Sequence, residues 1–209
     1  MAHVSAGERR QQAVTEARRI LETDGLGAVT LRRVARGAGM TLSSLQWAVR
    51  SKEELLGELF LTINAEIDEI VDGAVAPCTT LDAAIRAVLL ALWRSMEHAP
   101  MAEVGEAELV IESLRRPAQR AGVRDLFDAY VDSCARALAR ASATSQTVPA
   151  VPVDQLARLM VVALEGLVML FLASGDGPRC RDDLAVLASA LSAVAAGRVA
   201  VDDAAPLRP

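Results

Sequence analysis

Thr30-Leu31-Arg32-Arg33-Val34-Ala35-Arg36-Gly37-Ala38-Gly39-Met40-Thr41-Leu42-Ser43-Ser44-Leu45-Gln46-Trp47-Ala48-Val49-Arg50 is the stretch that decides the fold. Thr30 caps a short helix predicted from Leu31 to about Ala38, Gly39 supplies a turn, and Thr41 caps another helix of roughly two turns. At about 100° per residue, Leu42, Leu45 and Val49 fall on one side of that helix, and Ser43, Gln46, Trp47 and Arg50 on another. The first set can pack inward, leaving the second to face bases and phosphates. Two short helices joined by a glycine-containing turn, behind a longer first helix, make a helix-turn-helix unit whose second helix lies in a DNA major groove.

Upstream, Ala13, Val14, Ala17, Ile20 and Leu21 form the apolar stripe of the first helix, which Gly25 and Gly27 end. Downstream, Ser51 and Glu54 have capping-box spacing ahead of Leu55, Leu56, Leu59, Phe60 and Ile63, so a long fourth helix is predicted to about Gly73. Further helices are predicted from about Leu81 to His98, Pro100 to Leu114, Pro117 to Ala141, Val153 to Ser174 and Arg181 to Ala196. Ser142 to Pro152 reads as a loop, and the tail from Asp202 as frayed. No run has the strict alternation of a half-buried strand, so the class is all-α with about nine helices.

The 209 residues carry a net charge of −5, unevenly placed. Residues 1–54 hold nine Arg and Lys against six Asp and Glu, a net of +3, and the rest holds 13 against 21, a net of −8. A basic head on an acidic body suggests that one end meets a polyanion. Lys52 is the only lysine. Cys78, Cys134 and Cys180 lie far apart with no CxxC pair or neighbouring His, indicating reduced, buried thiols in a cytosolic protein rather than a disulfide framework or zinc site. The start lacks a secretory signal. Leu156 to Ala173 carries Arg158 and Glu165 and reads as a buried helix, so no membrane partner is expected.

The blocks Thr30-Leu31-Arg32-Arg33-Val34-Ala35, Ala38-Gly39-Met40-Thr41 and Ser51-Lys52-Glu53-Glu54-Leu55-Leu56, in that order, resemble the DNA-binding domain of the TetR family of bacterial transcriptional regulators, over about residues 8 to 60. The resemblance implies a helix-turn-helix domain over 1–54, a ligand-binding and dimerisation domain over 55–200, and a tail over 201–209. It implies a homodimer that binds a palindromic operator as a repressor and releases it when a small molecule enters each C-terminal domain. Carried over by position, Arg32 meets phosphate or a guanine edge, Thr41, Ser43, Ser44, Gln46 and Trp47 meet the groove, and Lys52 holds a phosphate. Where the family commonly has L-Y-x-(Y/H)-F, this chain reads Leu45-Gln46-Trp47-Ala48-Val49: Val49 keeps a core position, and Gln46 can pair with adenine N6 and N7.

The predicted eighth helix is apolar on every face and needs covering on both sides. By the family's four-helix interface, Leu164, Leu167, Val168, Phe171, Leu187 and Leu191 are assigned to the dimer contact, with packing inside one subunit as the alternative for each. For an apolar effector, the large or polarisable side chains of the middle helices are Trp93, Met96, Met101, Leu109, Phe127, Tyr130, Cys134, Met160 and Leu164, with Tyr130, Arg94 and Glu165 as polar anchors. Each is more often a plain core residue than a ligand contact.

Other clusters carry less. Arg9, Arg10, Arg18 and Arg19 either track phosphates or make a solvated face with Glu8, Glu16 and Glu22. Glu97, His98, Glu103, Glu106 and Glu108 read as acids pointing to water and complementing a helix start rather than as metal ligands. His3 and His98 have no paired base or nucleophile nearby, so neither catalysis nor a cofactor is expected. The alternatives are an α-helical carrier or enzyme that binds no DNA, and a DNA-binding activator.

Overall fold

The computed structural model describes residues 5–199, so the tail expected over 201–209 and His3 lie outside the described residues. Among the described residues there are nine α-helices and no strand: α1 (Ala6–Asp24), α2 (Leu31–Gly37), α3 (Leu42–Ala48), α4 (Lys52–Val75), α5 (Leu81–His98), α6 (Pro100–Leu114), α7 (Arg120–Ser145), α8 (Val153–Ser174) and α9 (Gly177–Ala195).

Local chemistry explains most of the ends. Ser5 and Glu8 form a capping box at α1, unnoticed in the sequence: Ser5 Oγ accepts the Glu8 N–H at 3.2 Å, and Glu8 Oε2 accepts the Ser5 N–H at 2.6 Å. At α4 the expected box is altered. Ser51 Oγ accepts the Glu54 N–H at 3.1 Å, but the Glu54 carboxylate turns back to the Arg50 N–H at 2.8 Å. Pro117 starts a single 3-10 turn, Pro117–Gln119, instead of α7, which begins at Arg120 and continues to Ser145, four residues into the expected loop. Helix α9 starts four residues early, because Asp176 caps it through the Arg179 N–H and Pro178 fits its first turn.

The chain divides into two compact units: residues up to Glu66 with His98–Asp128, and Ile67–Glu97 with the residues from Ala129 on. In the first unit the α1 stripe Ala13, Val14, Ala17, Ile20 and Leu21 is buried, and α1 packs on α2, α3 and α6. Gly105 of α6 allows a close approach of two backbones: a Cβ there would lie 2.6 Å from the Leu21 carbonyl oxygen. The Leu26 N–H donates to Glu108 Oε2 at 2.7 Å. Arg18, only 14% exposed, pairs with Glu22 and Glu106 at 2.6 Å and with Glu66 at 3.0 Å. The acids around His98 therefore do not all point to water, because α6 places Glu106 and Glu108 against α1 and the turn that follows it.

In the second unit α8 packs along α9, burying Leu156, Ala157, Met160, Val161, Leu164, Leu167 and Val168. The Trp93 and Phe171 rings meet edge to face, centroids 5.4 Å apart. Asp68 of α4 binds Ser133 and Arg136 of α7, Asp72 binds Arg140, and Glu97 binds Arg181. By length and composition α8 is apolar enough to cross a membrane, contrary to the reading of its charged residues. Its packing on α9 is what a core helix of this composition also does.

Candidate DNA-binding surface

Helix α2 is entered through Thr30, whose hydroxyl accepts the Arg33 N–H at 3.3 Å, and α3 through Thr41, whose hydroxyl accepts the Ser44 N–H at 3.1 Å. Between them Gly39 has φ +66°, a left-handed conformation that side chains rarely adopt, and the Met40 N–H closes the turn on the Ala35 carbonyl at 2.9 Å. The two sides of α3 separate cleanly. Leu45, Ala48 and Val49 are buried and Leu42 is half-buried, while Thr41, Ser43, Gln46, Trp47 and Arg50 are exposed. Ser44 and Lys52 are half-buried and Arg32 is exposed.

Trp47 is 68% exposed, and the Arg9 guanidinium carbon lies 6.0 Å from its ring centroid, at the outer limit of a cation–π contact. A large aromatic left so exposed beside a cation has not been recruited to the core. Stacked against sugar or base, it would recover the apolar area that water now covers.

The nine cations of the head divide by what holds them. Arg10 pairs with Glu54 at 2.5 Å and Glu58 at 2.8 Å, Arg19 with Glu16 at 2.6 Å, Arg33 with Asp24 at 2.6 Å, and Arg18 is enclosed by its three acids. Among the described residues, Arg9, Arg32, Arg36, Arg50 and Lys52 make no ion pair within 4 Å. Arg10, Arg18 and Arg19 are thus held by acids, and Arg9 is the α1 arginine that makes no ion pair among the described residues, its guanidinium lying over Trp47 instead. Arg36 on α2 and Arg50 just after α3, which the sequence reading did not single out as site residues, share this state: both are exposed and make no ion pair among the described residues.

The carboxylates here are held ionised. The Arg50 N–H keeps Glu54 below the usual carboxylate range, with Arg10 adding to it, and backbone and Ser51 hydrogen bonds do the same for Glu53.

The effector-facing set is dispersed. Trp93, Met96, Tyr130, Cys134, Met160 and Leu164 are buried in the second unit. Leu109 is buried and Phe127 half-buried in the first, whereas Met101 of that unit is 60% exposed. Burial pushes the Cys134 thiol up to about 12, an inert core group. The Trp93 indole N–H is buried with no acceptor among the described residues. Arg94 is exposed and Glu165 half-buried.

Of the six residues assigned to a dimer contact, Leu164, Leu167, Val168 and Leu191 are buried within the chain, and Phe171 and Leu187 are half-buried. The burial follows the helical period. The outward stripe of α8 is one step round, at Leu159, Val162, Met169 and Leu170, and α9 adds Val186, all exposed.

Residues 14–59 match the sequence model of bacterial regulatory proteins, tetR family. The chain is 26% identical over 184 residues to the HTH-type nicotine-responsive transcriptional repressor HdnoR of Paenarthrobacter nicotinovorans, covering 86% of this chain and 91% of that protein. Its fold matches that of a candidate TetR-family transcriptional regulator from Rhodococcus sp., with TM-score 0.75, 19% identity and coverage of 90% and 99% of the two chains. It also matches the transcriptional regulator FadR from Bacillus subtilis in complex with stearoyl-CoA, with TM-score 0.68, 13% identity and coverage of 90% and 98%. Head, fold and relatives agree: residues 14–59 match the tetR-family DNA-binding head, and the chain as a whole is similar to transcriptional regulators of that fold.

Proposed function

We propose that the protein is a cytoplasmic repressor that binds a palindromic operator as a homodimer and is released by a small, mostly apolar effector. The observation that carries the reading is the set of five cations of the head that make no ion pair among the described residues, beside an α3 whose polar side chains are exposed. Arg32 and Lys52 hold phosphates and position the head. Gln46 reads a base pair, with Thr41, Ser43, Ser44 and Trp47 completing the groove contact.

The dimer forms through the exposed stripe Leu159, Val162, Met169 and Leu170 with Val186, apolar surface that a lone chain leaves in water. The effector enters the second unit among Trp93, Met96 and Met160 and accepts a hydrogen bond from the Trp93 indole N–H. An unsatisfied buried donor costs about 1–3 kcal/mol, which a ligand with an acceptor at that point recovers. Release is a population shift: the effector favours a spacing of the two heads unlike that of half-sites about 34–36 Å apart. Helix α4, with Lys52 in its first turn, is the lever.

The test is a titration against the DNA upstream of the protein's own gene, with a shuffled duplex as control, at two salt concentrations. Tight binding to a palindrome with two subunits per site supports the reading, and equal weak binding to both duplexes refutes it for that site. Nicotine, named for the relative HdnoR, is the first compound to add to the complex.

A further inference from the structure

The densest basic segment of the acidic body lies at the junction of α6 and α7. Residues 115–124 hold Arg115, Arg116, Arg120 and Arg124 and no acid, whereas the rest of the chain beyond residue 54 holds nine bases against 21 acids. The segment forms the corner between α6 and α7, in the same compact unit as the helix-turn-helix, and all four arginines are exposed.

The corner adjoins the start of α4. A cleft of about 350 Å³ is lined by Lys52 and Leu56 of α4, Leu26 and Gly27 of the turn after α1, and Ile111, Arg115 and Arg116 beside Glu108 and Glu112 of α6. Arg116 lies 2.7 Å from Glu112 and 3.7 Å from Glu53, and the Arg120 Nε–H donates to the Leu114 carbonyl at 2.8 Å. Those two are tied down. Arg115, 76% exposed, has only Glu112 at 3.9 Å, and Arg124 has no ion pair within 4 Å among the described residues.

We propose that the α6–α7 corner is a second phosphate-contacting surface that extends the backbone grip of Lys52, with Arg115 and Arg124 as the contacting guanidiniums. The proposal rests on the reading that the head binds DNA. Glu108 and Glu112 on the cleft wall repel an anion that enters it, so the cations act outward, on a polyanion lying across the rim. A short turn has no element to insert into a groove, so the contact is with backbone and is blind to sequence. It offsets the repulsion that an acidic body exerts on DNA.

The test compares wild type, R115Q/R124Q and K52A on a mixed-sequence duplex and on the operator, by anisotropy at several salt concentrations, with melting temperatures as a folding check. R115Q/R124Q should melt like wild type and lose about 1.8 from the salt slope per subunit, two contacts at about 0.9 each. It should weaken both duplexes by the same factor and so leave the operator preference intact. An unchanged slope in R115Q/R124Q beside a reduced one in K52A overturns the corner alone. A wild-type protein that binds neither duplex removes the DNA-binding reading and the corner with it. Displacement by inorganic phosphate beyond that by chloride at matched ionic strength reassigns the arginines to a free anion and overturns the proposal.

Discussion

Arg18 of α1 and Glu106 of α6 lie 2.6 Å apart, the arginine largely shielded from water and shared with Glu22 and Glu66. Arg18→Ala leaves three carboxylates crowded with no cation between them. The expected loss is about 1–3 kcal/mol, below the 3–5 of a fully buried pair because the acids are partly solvated. Glu106→Gln should cost little or nothing, since Arg18 keeps two acids and burial already disfavours the charge on Glu106. Urea unfolding of the two variants checks the order.

Gly105 gives a sharper steric test. In Gly105→Ala the added methyl meets the Leu21 carbonyl at 2.6 Å, and backbone cannot yield as a flexible side chain can. The variant should lose about 1–3 kcal/mol, read as a lower melting temperature.

The head arginines should separate into two kinds. Arg32→Ala and Lys52→Ala lower the salt slope of DNA binding by about 0.9 each per subunit. Arg10→Ala leaves the slope unchanged and instead lowers stability, because its partners are Glu54 and Glu58. Gln46→Ala relaxes preference at one base pair. Salt titrations of all four settle which cations face DNA.

Acid should weaken the fold through Glu16 and Glu54. Arg19 holds Glu16, and the Arg50 N–H holds Glu54, below the ordinary 4.5, so the stability they confer is full above that value and is lost as pH falls through their lowered values. Glu106 has the opposite sign: burial raises it, so its ionisation opposes the fold as pH rises past 4.5. Melting temperature against pH should therefore fall less steeply on the acid side in Glu54→Gln than in wild type.

Assembly and core should respond to different residues of α8. Met169→Arg, on the exposed stripe, is expected to give monomers in light scattering with the fold intact. Leu164→Ala, wholly buried, should cost about 2–5 kcal/mol of stability and leave the dimer composition alone.

The helix plan was legible where punctuation is local. Leu81–His98, Pro100–Leu114 and Val153–Ser174 match the expected bounds because a proline or a capping residue, followed by an apolar period, marks each start. Pro117 misled, since a proline that opens a helix and one that opens a single tight turn look alike in sequence. Arg10 and Arg18 were ambiguous because their partners Glu54, Glu58, Glu66 and Glu106 lie far along the chain and meet them only after folding. Which side of α8 is left outside was not legible: an all-round apolar helix offers no polar face by which to orient it, and only the packing of α9 decides it.

Lys52, half-buried at the first turn of α4, is also the only side-chain amine in the chain. An amine-reactive label therefore has two addresses, this residue and the chain's α-amino group. Intact mass after brief acylation, with and without duplex, becomes a footprint of the proposed phosphate contact with no engineered probe. The protein carries its own reporter at the point where its grip on DNA is expected to begin.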